Sequence, residues 1–126
     1  MITVPEINAY LRVAVPYTYV ANEFAANNPD DCAYVRLGAG YAPSEWTSKR
    51  RPAVQVLVRA KSANKADQIA SAIYEELAGK SEFSFGATRV VKCMANQSAP
   101  IYLGKDANER TMYSLNFTLT TIQGGP

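Results

Sequence analysis

The chain contains no histidine. That removes the commonest general base near neutral pH and the commonest metal ligand. It has few cysteines, Cys32 and Cys93, far apart and in no metal-ligand spacing. Two reduced thiols in a cytosolic fold is the favoured interpretation, and a lone disulfide the minority one. A dominant charge is missing too. Thirteen Lys and Arg face eleven Asp and Glu, a net +2. Bulk electrostatics therefore argue against a dedicated nucleic-acid binder, although a local patch stays open. No apolar run approaches membrane-spanning length, so no membrane partner is expected. The start, Met-Ile-Thr-Val-Pro-Glu, lacks the basic region and apolar run of a signal peptide. These features suit a protein made and folded in a cytosol. Repeats and low-complexity tracts are absent.

Catalytic constellations are lacking as well. Ser44, Ser48 and Ser114 have no histidine to activate them, and neither cysteine has one. Asp30-Asp31 and Glu75-Glu76 are adjacent pairs, and sequence neighbours usually point apart. Solvated surface is the favoured interpretation of both. Gly38-Ala39-Gly40-Tyr41 lacks the helix start and lysine of a phosphate loop and is expected to end a strand. The expectation is a protein that is not an enzyme, with no metal and no cofactor.

What is present is enough for one domain over residues 1–126, burying roughly two-thirds of the extended chain's surface. Thr3, Pro5 and Glu6 form a helix start, with a hydroxyl acceptor, a first-turn proline and an acid that can reach back. Ile7, Tyr10, Leu11 and Ala14 follow at helical spacing, and Pro16 stops the helix. A short second helix near Asn22 to Ala26 is compatible with a stretch that is otherwise hard to interpret. Cys32 to Leu37 is a strand candidate. Ala53 to Arg59 is the strongest buried strand, by its β-branched density. Ser62 or Asn64 caps a helix running to Ala78. Its stripe is Ala66, Ile69, Ala70, Ile73, Tyr74 and Leu77, and Gly79 suits a left-handed end. Thr88 to Ala95 is a third strand. From Tyr113, apolar Tyr113, Leu115, Phe117 and Leu119 alternate with Ser114, Asn116, Thr118 and Thr120, the period of a half-buried strand. The predicted class is α+β in two layers. A single mostly antiparallel or mixed sheet of about four strands carries two helices on one face.

Two connections stand out. Residues 97–110 hold Ile101, Tyr102 and Leu103 beside Asp106 and Arg110. Exposed aliphatics in a loop suit a chain that meets another copy of itself. Residues 41–51 hold Trp46 and the cluster Lys49, Arg50 and Arg51. From Lys49 to Lys65 there are six basic residues and no acid, whereas residues 1–48 hold five acids and two bases. In isolation a solvated loop is favoured, and phosphate contact is weaker without interleaved aromatics. The asymmetry also suits two unlike edges that join head to tail. In that arrangement the basic run with Arg59 meets an acidic edge drawn from Glu23, Asp30, Asp31 or Glu45. The candidate interface is thus Trp46, Lys49, Arg50, Arg51, Arg59, Ile101, Tyr102, Leu103, Asp106 and Arg110.

The segment Arg51-Pro52-Ala53-Val54-Gln55-Val56-Leu57-Val58-Arg59, followed by a helix ending Ile73-Tyr74-Glu75-Glu76-Leu77, resembles small tail-completion proteins of long-tailed bacteriophages. These are the tail terminators, also called minor capsid proteins. Pro100-Ile101-Tyr102-Leu103-Gly104-Lys105-Asp106, Arg110 and Tyr113-Ser114-Leu115-Asn116-Phe117 are similar to the same family's C-terminal part. The resemblance covers roughly residues 51 to 122. It implies a non-enzymatic virion protein at the head-tail junction, assembled in the host cytoplasm. Its subunits would form a ring, in the family a hexamer. The ring would cap the tail tube, stop its growth and meet the head's connector protein, with DNA only as passing cargo. A neighbouring head-tail joining protein, a small ferredoxin-like binding domain or enzyme subunit, and a nucleic-acid-binding domain remain the alternatives.

Overall fold

The computed structural model describes residues 2–41 and 49–122. In chain order the elements are α1 (Val4–Ala14), β1 (Tyr19–Ala21), β2 (Cys32–Tyr41), β3 (Lys49–Ala60), α2 (Ala63–Leu77), β4 (Ser81–Phe85), β5 (Thr88–Ala95), β6 (Ile101–Lys105) and β7 (Thr111–Ile122). The strands form one mixed sheet in the order β1-β2-β3-β7-β5-β4, with β6 also paired to β7.

The expected sheet of about four strands is therefore corrected to seven, and the fold is dominated by its sheet. The additional strands are β1, β4 and β6, of three, five and five residues. Strands this short have too few residues to display a period, and their pairing is set by a neighbour distant in sequence. The 97–110 connection is likewise not all loop, because β6 lies within it. The candidate helix near Asn22 does not form. Asn22 has φ 70°, outside the right-handed helical region, and Phe24 instead stacks edge-on against Tyr34 at 5.0 Å.

Both helices begin as their sequences dictate. The Thr3 hydroxyl accepts from the Glu6 amide and the Glu6 carboxylate accepts from the Thr3 amide, a complete capping box. Ser62 caps α2 by accepting from the Lys65 amide. Past the end of α2, Gly79 takes the left-handed conformation at φ +76°.

One face of the sheet carries the core. Val54, Val56 and Val58 of β3 stand in register with Phe117, Leu115 and Tyr113 of β7. Ile7 and Leu11 from α1, and Ala70, Ile73 and Leu77 from α2, join the same cluster. Ile69, expected in the core, is only partly buried and packs against it. α2 lies over β3, β7 and β5, whereas α1 touches β1 and β2 near one edge and β4 at the other. An eleven-residue helix is about 16 Å long, and six strands side by side span about 24 Å. The sheet must curl around α1 for both edges to reach it. Tyr10 makes the far contact, packing on Phe83 and Phe85 of β4 at 5.7 and 5.0 Å.

Candidate interaction surfaces

The nine candidate residues that are described divide between the two ends of β3. Lys49, Arg50 and Arg51 are its first residues, not a loop, and they pair with Ile122, Thr121 and Tyr41. Arg59 lies near the other end. At about 3.3 Å per residue the two ends are about 33 Å apart. Trp46 falls outside the described residues, as does Glu45 of the candidate acidic edge.

At the Arg59 end the chain is tied to itself. Arg59 is only 4% exposed. Its Nε donates to the Asp30 carbonyl at 3.2 Å and its terminal nitrogen to the Pro29 carbonyl at 2.9 Å. The guanidinium lies 3.9 Å above the Phe24 ring, and the Arg59 carbonyl accepts from the Tyr17 hydroxyl. A planar fork is suited to two neighbouring carbonyls and an aromatic face at once. Burial, and then the nearby Arg110, lower the Arg59 pKa from its ordinary value. Arg59 thus clamps segment 22–31 over the sheet from inside the subunit.

Asp106 and Arg110 close the β6–β7 turn. The Asp106 carboxylate accepts from the backbone amides of Asn108 and Arg110 and from Arg110 Nε, the last at 2.7 Å. These bonds, led by the Arg110 amide, hold its pKa below the usual carboxylate value. Arg110 also reaches Asp30 at 3.3 Å. Asp31 pairs with Lys65 at 3.1 Å and accepts from the Lys61 amide. Two of the four acids expected to meet a neighbouring copy are thus engaged within the subunit. Sequence spacing could not show this, because partners such as Asp30 and Arg110 are far apart in the chain.

β6 presents the exposed apolar residues. Ile101, Tyr102 and Leu103 are 42%, 60% and 46% exposed. Tyr102 leans edge-on against Tyr113 at 5.5 Å. Among the described residues β6 pairs only with β7. A short apolar edge strand is a template for further pairing unless something covers it.

The face opposite the core was not expected to matter. Segment 22–31 covers part of it, through Phe24 on Tyr34 and Arg59. The uncovered part carries Gln55, Asn116 and Thr118, with Arg36 and Lys92 beside them. A shallow depression of about 130 Å³ lies there, lined by Arg36, Gly38, Ala53, Gln55, Asn96 and Asn116 among others. The polar half of β7's alternation was the only signal of this surface.

No group of three or more Cys, Asp or Glu arranged for a metal occurs among the described residues. Both cysteines are free and buried, and burial pushes the Cys93 thiol up to about 12. No helix of the described residues is long and apolar enough to cross a membrane.

Residues 19–122 match the family model described as bacteriophage tail terminator protein. The match takes in every strand and α2, and extends the resemblance from residue 51 back to β1. No curated protein matches the chain. The family is structural, with a virion-tail location and contacts to other tail and head components. The chain belongs to the bacteriophage tail terminator family.

Proposed function

We propose that this protein is the non-catalytic terminator of a phage tail, acting as one domain. Its copies form a ring on the head-proximal end of the tail tube, stop tube polymerisation and offer a seat to the head's connector protein. The observation that carries this is the family match over residues 19–122. The exposed Ile101, Tyr102 and Leu103 on an edge strand support it, because apolar edges of this kind favour a partner over water. The protein would assemble in the host cytoplasm and stay at the head-tail junction, with DNA passing through the lumen.

The test is genetic and microscopic. Phage lacking the protein should accumulate tail tubes of uncontrolled length without heads, and purified protein added to the lysate should restore joining. Tails of normal length that fail only to attach heads would favour a head-tail joining protein instead. Normal, infectious particles would refute both.

A further inference from the structure

The subunit carries unlike charged patches on its two sides, one on the uncovered sheet face and one on the outer side of α2. Among the described residues, alternation along the strands places Arg36, Lys49, Arg51, Arg89 and Lys92 on the uncovered part of the face away from the helices, where Glu82 pairs with Arg89. Arg59 stands on the same face, but beneath segment 22–31. The hydrogen bonds of Arg36 and Lys92 run to the carbonyls of Asn22 and Gly79, which carry no charge to neutralise them.

The outer side of α2 carries acids. Between Lys65 and Lys80 the chain holds Asp67, Glu75 and Glu76 and no cation. Glu76 is taken by Lys80 and Tyr10. Asp67 and Glu75 are exposed, and no cation pairs with either among the described ion pairs. They lie two turns apart on one side of α2, with Ser71 and Ala72 between them. Such small side chains let another surface come close.

We propose that the uncovered sheet face seats the outer side of α2 from a second copy of this chain. The proposal deepens the ring assembly above and rests on it. Within one subunit the two patches lie on opposite sides of the sheet and cannot meet. Between subunits they are complementary, and a contact of unlike patches is the heterologous kind that rings require. The depression over Gly38 and Ala53 exists because neither residue has bulk, and amides from Gln55, Asn96 and Asn116 surround it. A polar helix side fits such a floor, because the amides bond to Ser114 and Thr118 and keep further donors and acceptors for a neighbour. Nucleic acid could satisfy the cations, but it would leave the acids of α2 without a role.

The test is a charge exchange in the full chain. Light scattering and sedimentation would follow self-association of the wild type, of Arg36→Glu with Lys92→Glu, and of Asp67→Lys with Glu75→Lys. Each pair should weaken self-association at least tenfold and leave the thermal melt unchanged, since all four positions lie outside the core. Mixing the two variants should restore assembly, because each reversed face then meets a reversed partner. Variants that assemble like the wild type, a failure of the mixture to recover, or a wild type that stays monomeric would overturn the proposal. So would binding of a short DNA duplex that depends on Arg36 and Lys92 and is indifferent to Asp67 and Glu75. Restored assembly in the mixture, together with normal tails in phage lacking the protein, would keep this contact and sink the terminator role alone.

Discussion

Replacing Arg59 with methionine distinguishes a clamp inside the subunit from a residue on its interface. Methionine keeps much of the stem and removes the charge. Two hydrogen bonds to the carbonyls of Pro29 and Asp30 are lost, and so is the stack on Phe24. Hydrogen bonds to a charged group contribute about 1.5–3 kcal/mol each. A desolvated cation–π contact adds about 1–2 kcal/mol. Against this, a buried charge no longer has to be desolvated, which returns several kcal/mol. Pro29 and Asp30 are exposed, so their freed carbonyls can turn to water. The balance is a loss of about 2–3 kcal/mol. For a chain of this size that corresponds to a fall in Tm of roughly 6–15 °C. Circular dichroism at concentrations where the protein is monomeric would measure it. Hydrogen exchange should speed up in residues 22–31 first. Arg59→Lys should lose about half as much, since an ammonium cannot hold both carbonyls and the ring together. An unchanged melt and unchanged exchange, with assembly lost, would refute the clamp and make Arg59 an interface residue.

Phe117→Ala should cost about 3–5 kcal/mol in urea denaturation, because Phe117 is fully buried opposite Val54. A loss under about 1 kcal/mol would show that the β3–β7 register is wrong. Gly40→Ala should destabilise by more than about 1–2 kcal/mol, the strain of a left-handed φ alone, because its new Cβ would also meet the Arg51 carbonyl. A neutral result would remove the bulge at the β2–β3 bridge. Acid should destabilise the fold in a defined window. Asp31, Glu76 and Asp106 are each held below their ordinary values by hydrogen bonds from the Lys61 amide, Lys80 and the Arg110 amide respectively, while burial raises and several bonds lower Glu6, with a net lowering. Their contribution is complete above the unfolded values of 3.8 for Asp and 4.5 for Glu, and is lost as pH falls through the lower folded values. Melting temperatures flat down to pH 3 would contradict this.

The parts legible in the chain were those whose signal is local. The capping box of Thr3 and Glu6 is four residues long and appears intact. The α2 stripe needs only helical periodicity, and Ala66, Ala70, Ile73 and Leu77 are buried as it requires. The alternation of β7 needs only a period of two over a long run, and it put Leu115, Phe117 and Leu119 inside. Buried apolar area drives each of these, and the chain writes that area down directly.

The rest depended on partners distant in sequence. β4 and β6 are strands because β5 and β7 lend them hydrogen bonds, not because their own residues alternate for long. Lys49, Arg50 and Arg51 resemble a solvated loop by composition and become strand because Ile122 and Thr121 lie opposite the first two. Arg59 resembles surface and is buried because Pro29 and Asp30 come back over it. The basic sheet face is assembled from cations on three strands, β2, β3 and β5, with β7 standing between the last two. Side-chain chemistry was fixed from the start. Which charges stand together, which cancel and which stay exposed follows from strand order and chain crossing, because electrostatic and hydrogen-bond energies depend on distance in space and take no account of separation along the backbone.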